Sequence, residues 1–128
     1  MSHISVTRTR IKRLNPDIAR KVAERICLTY RGKLTDRVRD YYGREVRVSV
    51  GIEVDGVSVG FAETDGSLNV LSDRYLWQVR GNLHIHDAIV REFVKMYTAE
   101  AIAQALAREG YELKIQELAD GIVIDAYR

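Results

Sequence analysis

The sequence predicts an α+β fold, a two-layer domain in which a mainly antiparallel sheet carries two long helices on one face. Residues 45–71 alternate apolar and polar side chains around two Asp-Gly dipeptides, a pattern typical of consecutive hairpins. Residues 16–31 and 83–108 instead repeat apolar side chains at helical spacing. The predicted order is therefore β-α-(α)-β-β-β-α-β-β, and residues 1–128 are expected to form a single domain.

The first element is either a strand or a basic arm. Between Ile4 and Ile11 most residues are Ile, Val or Thr, and a helix start follows at once. Both features favour a strand over a disordered arm, with Arg8, Arg10 and Lys12 on one face near the end of the strand and Arg13 in the loop that follows. In the helix that follows, Asn15 suits the N-cap, Pro16 suits the first helical position, and Gly32 marks the end.

The remaining elements follow from turn residues and periodicity. A short second helix is predicted at residues 35–42, with Gly43 as its left-handed cap. The meander of residues 45–71 comes next, with turns at Asp55-Gly56 and Asp65-Gly66. The other predicted elements are a helix from Leu83 to Arg108 and a last hairpin, whose strands at 111–118 and 122–127 flank the turn Asp120-Gly121.

Composition limits the class of protein. Cys27 is the only cysteine, which excludes a disulfide framework and a cysteine-based zinc site. Its helical spacing among apolar neighbours predicts a buried thiol. The first residues lack the apolar core of a signal peptide, and no run approaches the roughly 18 apolar residues of a membrane span. We therefore expect a soluble, cytoplasmic protein.

The charge is unevenly distributed. Residues 1–47 carry 13 Lys and Arg against 5 Asp and Glu, whereas residues 48–128 carry 7 against 13. A basic half can attract nucleic acid or an acidic protein, and it can equally attract the acidic half of a second copy. The residues predicted to make such contacts are Arg8, Arg10, Lys12, Arg13, Lys33, Arg37 and Arg39.

Motifs for catalysis or cofactors are not found. The glycines fit no phosphate-binding loop, and no serine lies in a GxSxG motif, so no cofactor is predicted. His84, His86 and Asp87 resemble a metal-ligand cluster, but two histidines two residues apart diverge on a helix, so a solvated helix start is predicted here instead. Tyr75 and Trp77 lie among arginines, which suits either single-stranded nucleic acid or a cover for the end of the sheet with wet polar tips.

The sequence also resembles a known family. The resemblance rests on residues 1–5, 9–11, 59–61, Trp77, 93–97, 110–111 and 120–122. These segments are similar to the hypothetical chloroplast reading frame thirty-five family, whose members occur in plastids, cyanobacteria and other prokaryotes. The resemblance implies a small soluble domain of unestablished function and brings no site residues.

Three functions remain open. The first is a non-catalytic accessory or interaction protein that binds a protein partner or its own copy, and a homodimer is expected from the opposed charges and the last hairpin. The second is nucleic-acid binding through the basic residues of the N-terminal half. The third is an enzyme with an unrecognised site, which the missing motifs disfavour.

Overall fold

A computed structural model of the chain describes residues 4–9, 11–118 and 121–127. In these residues the predicted α+β class is confirmed, with a five-stranded antiparallel sheet and a separate two-stranded sheet. The strands are β1 (Ser5–Arg8), β2 (Lys33–Arg39), β3 (Glu45–Val54), β4 (Val57–Thr64), β5 (Ser67–Ser72), β6 (Glu112–Leu118) and β7 (Gly121–Tyr127). The helices are α1 (Pro16–Tyr30), α2 (Arg74–Val79) and α3 (Leu83–Arg108).

The main sheet has the strand order β1-β5-β4-β3-β2. Strands β3, β4 and β5 form the predicted meander, and the turn residues Asp55, Gly56, Asp65 and Gly66 all have positive φ. Such two-residue turns match the twist of a hairpin. The first two strands lie at opposite edges of the sheet, because α1 carries the chain from one edge to the other.

Both long helices take part in the same core as the sheet. Asn15 caps α1, since its side-chain oxygen accepts hydrogen bonds from the backbone N–H groups of Asp17 and Ile18 at 3.0 and 3.2 Å. Side chains from α1, α3, β3, β4 and β5 form one apolar cluster. At its centre the rings of Phe61 and Phe93 stack with their centroids 3.7 Å apart.

Helix α3 has the predicted bounds, from Leu83 to Arg108. In the part of the chain that the structure describes, no helix combines the length and apolar character needed to cross a membrane. Cys27 is buried on α1, which confirms the prediction from its spacing. Burial, together with the nearby Glu24 carboxylate, raises the pKa of the Cys27 thiol and so favours its neutral form.

The opening stretch is a strand, not an arm. Strand β1 pairs antiparallel with β5 along its whole length. Beyond it, the backbone of Thr9 donates to Leu68 O at 2.9 Å, and Leu68 N donates to Ile11 O at 2.8 Å. The chain thus follows β5 almost as far as predicted. The prediction that Lys12 belongs to the strand was wrong, because Lys12 lies in the loop before α1.

The predicted helix at residues 35–42 was wrong. Residues 33–39 form β2, which pairs with β3 from Glu45 to Glu53. The tight segment after β2 is a turn: Asp40 Oδ1 accepts hydrogen bonds from the backbone N–H groups of Tyr42 and Arg44, both at 2.9 Å. Gly43, at φ 84°, belongs to this turn and caps no helix. Pairing with β3 thus outweighs the helix signals of the segment.

Side chains from β2 and β3 cover the face of β4 that points away from the main core. Val38 and Val48 are buried although neither belongs to the main core. Their methyl groups lie over Gly60, where an added Cβ would meet Val48 Cγ1 at 2.5 Å and Val38 Cγ2 at 2.6 Å. Gly60 therefore makes room for a small second apolar cluster on this face.

Helix α2, which the sequence did not predict, seals one end of the sheet. Asp73 caps it by accepting a hydrogen bond from Leu76 N at 3.3 Å. The Trp77 side chain is fully buried, and its indole N–H donates to Ser58 O at 2.9 Å. Trp77 does cover the sheet end, but the prediction of a wet polar tip was wrong for this residue, because its donor is satisfied within the protein.

The last hairpin stands apart from the main sheet. Strands β6 and β7 pair only with each other among the described residues. They contact α3, and Arg25 of α1 donates to Glu117 of β6 at 3.0 Å. A two-stranded sheet has little stability of its own, so these contacts with the helices hold it in place.

Candidate functional site

The predicted basic residues divide between the two edges of the main sheet. Lys12 and Arg13 follow β1, whereas Lys33, Arg37 and Arg39 lie on β2. Three strands separate these edges, a distance of roughly 19 Å at the usual spacing of strands. Of the other two predicted residues, Arg8 lies on β1, where the structure does not describe its side chain. Arg10 lies outside the described residues.

Two of the three basic side chains on β2, those of Arg37 and Arg39, have acidic neighbours. Glu45 lies 3.6 Å from Arg39 and 3.9 Å from Arg37, and Asp36 lies 3.9 Å from Arg37. These surface pairs contribute little stability, yet they reduce the positive potential that a phosphate would meet. The β2 edge is therefore a mixed surface and offers less attraction for nucleic acid than the sequence suggests.

A groove of about 880 Å³ lies on the other side of the molecule, between the 11–18 segment and the second half of α3. Its apolar floor is formed by Ile11, Leu14, Ile18, Val94, Ala101, Ile102 and Ala105. Lys12, Arg13 and Arg108 line it with basic side chains, against one acidic residue, Asp17. Ile102 keeps 47% of its surface exposed, so the floor is open to a partner. We refer to this feature as the basic groove.

Tyr97 fixes one wall of the basic groove. Its hydroxyl donates to Arg13 O at 3.0 Å and accepts from Asn15 N at 2.6 Å. The ring is buried against Phe93, with centroids 5.9 Å apart. These bonds tie the loop that carries Lys12 and Arg13 to α3, so the two basic side chains project from a fixed backbone.

The β6–β7 hairpin exposes apolar side chains beside acidic ones. Large hydrophobic residues with 39–55% of their surface exposed are Ile115, Leu118, Val123 and Tyr127. The charged residues in the described part are Glu112, Lys114, Glu117 and Asp125. Net negative charge therefore accompanies exposed apolar surface on strands whose outer edges have no described neighbour.

Three tyrosines form an exposed aromatic cluster where the 40–44 turn meets α2. The ring centroid of Tyr41 lies 5.4 Å from that of Tyr42 and 5.6 Å from that of Tyr75, both in edge contacts. Arg44 lies over the Tyr42 ring at 5.6 Å, and its guanidinium also pairs with Asp40 at 2.9 Å. We call this the tyrosine cluster. The sequence pointed to Tyr75 but not to the two tyrosines of the turn.

The histidines do not form a metal site in the described residues. His84 is exposed, whereas His86 is buried, so the prediction of a solvated helix start was wrong for His86. No group of three His, Cys, Asp or Glu side chains able to hold a metal occurs in the described part of the chain.

His86 instead belongs to a hydrogen-bonded chain between β5 and α3. Ser72 Oγ lies 2.8 Å from His86 Nε2, and Asp87 Oδ1 lies 2.8 Å from His86 Nδ1. Arg74 completes the group, since its Nη1 donates to Asp87 Oδ1 at 2.7 Å. Sequence inspection singled out His86 and Asp87 but missed Ser72 and Arg74, because only the fold brings them together.

Burial governs the protonation of this group. Desolvation lowers the pKa of His86, and Arg74 lowers it further, while Asp87 acts in the opposite direction. Hydrogen bonds from Arg74 and His86 lower the pKa of Asp87. Near pH 7, a neutral imidazole therefore lies beside an ionised carboxylate.

Comparisons with models of protein families, with curated protein sequences and with solved structures found no match.

Proposed function

We propose that this chain is an interaction protein whose basic groove binds the β6–β7 hairpin of a second copy. The observation that carries the proposal is chemical complementarity between two surfaces of one chain. The groove has an apolar floor and a net charge of +2 from its lining residues, whereas the hairpin has exposed apolar residues and a net charge of −2 among its described residues. Opposite charges of this kind select the partner and its orientation.

The two surfaces suit a symmetric pair. If the hairpin of one copy fills the groove of the other, the reverse contact follows by twofold symmetry and no surface is left open. Two such contacts bury the apolar floor around Ile102 and the exposed side chains of Ile115 and Leu118, and that burial provides the driving force. The opposite charges around these apolar residues favour contact between a groove and a hairpin.

Reversing the charge of the groove is expected to weaken the pairing. We expect the double variant Lys12→Glu/Arg13→Glu to dissociate at a protein concentration roughly tenfold or more above that of the wild type, because like charges then face each other. Sedimentation velocity over a range of concentrations measures this shift. Repeating it at about 50 and 500 mM salt tests the electrostatic part, which salt screens.

Two further variants sharpen the experiment. Lys33→Glu/Arg47→Glu makes the same change in net charge on β2 and β3 and is expected to leave the pairing unaltered. Adding Glu112→Lys to the groove variant is expected to restore association. A monomer at every concentration tested, or an equal loss in both double variants, contradicts the proposal; capture of a different acidic protein by a monomeric chain assigns the groove to that partner instead.

Binding of single-stranded nucleic acid is a second candidate, which the tyrosine cluster favours. Tyr41, Tyr42 and Tyr75 keep 51%, 66% and 42% of their surfaces exposed, and bases stack on such rings. Arg44 lies over the Tyr42 ring, so its guanidinium is close enough to contact a phosphate next to a base stacked there. This candidate ranks second because Asp40 and Glu45 already pair with the basic side chains nearby.

Removing one ring of the tyrosine cluster tests the second candidate. Base stacking contributes about 1–3 kcal/mol per base, so Tyr42→Ala is expected to weaken binding by roughly fivefold or more. Fluorescence anisotropy with a labelled single-stranded pyrimidine oligonucleotide at about 50 mM salt measures it, since phosphate contacts are strong there. Tyr127→Ala, which removes an exposed ring on β7, is the control. Lack of binding by the wild type at this salt excludes the candidate.

A further inference from the structure

The hydrogen-bonded chain of Ser72, His86 and Asp87 has the order of a nucleophile, a base and an orienting carboxylate. In serine hydrolases the hydroxyl bonds one imidazole nitrogen and a carboxylate bonds the other. The same order occurs here, with 2.8 Å at both contacts. Ser72 and His86 each have only 3% of their surface exposed, so the alignment of this pair is held by packing.

The surroundings of His86 select the tautomer that a base requires. Asp87 Oδ1 lies 2.8 Å from Nδ1, closer than the 3.5 Å of Arg74 Nη1, so we assign the ring proton to Nδ1, which donates it to the carboxylate. Nε2 then presents a lone pair to the Ser72 hydroxyl. Trp77 supports the ring from the side, in an edge contact with centroids 5.3 Å apart.

A cavity lies next to this chain of groups. It has a volume of about 330 Å³, between the edge strand β1 and the first turns of α3. Besides Ser72, His86 and Asp87, its lining residues are Thr7, Val70, Arg74, Val90 and Arg91. This volume is at the lower end of the range for small-molecule sites. Two guanidinium groups against one carboxylate make the cavity positive, which favours an anionic ligand.

We propose that Ser72 is the nucleophile of an acyl-transfer site that hydrolyses small carboxylic esters bearing a negative charge. This goes beyond the interaction function and does not depend on it. Ser72 Oγ forms a bond to the carbonyl carbon while His86 Nε2 takes the hydroxyl proton. The carbon–oxygen bond to the leaving group then breaks, and His86 returns the proton to the released alcohol.

Water completes the cycle. It attacks the acyl-serine carbonyl, gives one proton through His86 to Ser72 Oγ, and releases the carboxylic acid and the free hydroxyl. Arg74 and Arg91 line the same cavity and are placed to attract the charged group of the substrate. Asp87 is a positioning residue: it fixes the imidazole and does not touch the substrate.

Asp87 also differs from the carboxylate of most hydrolases. It is half exposed, and Arg74 pairs with it at 2.7 Å. The guanidinium offsets part of the stabilisation that Asp87 gives to a protonated His86. We therefore expect slow turnover, and covalent labelling of the serine is a sharper readout than steady-state hydrolysis.

A fluorophosphonate probe tests the assignment on the folded, full-length wild type. Ser72 Oγ is expected to bond to phosphorus with loss of fluoride, so intact mass shows one adduct, and peptide mapping places it on Ser72. Ser72→Ala is expected to abolish the adduct, and Ser49→Ala, which removes an exposed serine of β3, to leave it unaltered. His86→Gln is expected to slow labelling by roughly 100-fold or more, the usual contribution of a general base.

Ester hydrolysis provides the second readout. The 4-nitrophenyl monoester of succinic acid carries the negative charge that the cavity favours, and 4-nitrophenyl acetate is its neutral counterpart. We expect faster Ser72-dependent release of nitrophenol from the charged ester. Lack of an adduct on folded wild type, or an adduct on another residue that persists in Ser72→Ala, overturns the proposal and leaves the chain of groups a purely structural contact between β5 and α3.

Discussion

Replacing Trp77 by alanine is expected to lower the free energy of unfolding by about 3–5 kcal/mol, the usual loss for a large buried aromatic side chain. Among the described residues, Trp77 is the largest side chain that is fully buried, and its removal leaves a cavity between α2 and the sheet. The carbonyl of Ser58 also loses its indole donor. The lost packing and the lost hydrogen bond therefore both lower the free energy of unfolding.

Urea unfolding followed by circular dichroism measures this loss, because the substitution removes the only tryptophan and with it the fluorescence signal. Tyr75→Ala, in the same helix but 42% exposed, is the control and is expected to lose far less. A loss below about 1 kcal/mol for Trp77→Ala would mean that α2 does not seal the end of the sheet.

Replacing Gly60 by alanine is expected to cost about 1–3 kcal/mol, although only one methyl group is added. The new Cβ would lie 2.5–2.8 Å from the methyl groups of Val38 and Val48, closer than carbon atoms pack. Both valines are buried and have restricted rotamers, so the strands themselves must move.

The matched control is Gly121→Ala on β7, where an added Cβ meets nothing within 4 Å. We expect a change within about 0.5 kcal/mol there, as for most surface positions. Equal stability of both alanine variants would show that the β2–β3 edge adapts freely, and that the cluster over Gly60 does not hold it in place.

Local signals predicted most of the fold. Alternation and Asp-Gly turns located the meander, and the Asn15 cap and the apolar stripe of α3 located the long helices. Each of these patterns lies within a single helix or strand, or in the turn next to it. The segment at 35–42 failed because its structure is set by pairing with β3, which no local pattern records, and α2 is too short to show a helical period.

The candidate sites were less accessible to prediction. Lys12 and Arg13 were singled out for their charge, but the apolar floor beside them comes mainly from α3, about 80 or more residues along the chain. Ser72 and His86 meet only because β5 packs under α3. Residue types alone identified candidate site residues. Contacts between distant parts of the chain determine which of these residues lie together in the structure.

The β6–β7 hairpin is separate from the main sheet, so the two regions are expected to unfold with different free energies. Neighbouring strands flank β4 and β5 on both sides, so we expect their amide protons to exchange with solvent mainly through unfolding of the whole sheet. The hairpin can detach from α3 while the five strands stay intact, so its amides exchange through a smaller, local opening. Capture by the groove of a second copy would close that route. If the proposed pairing occurs, the region that we expect to open most readily is the one whose opening a second copy suppresses.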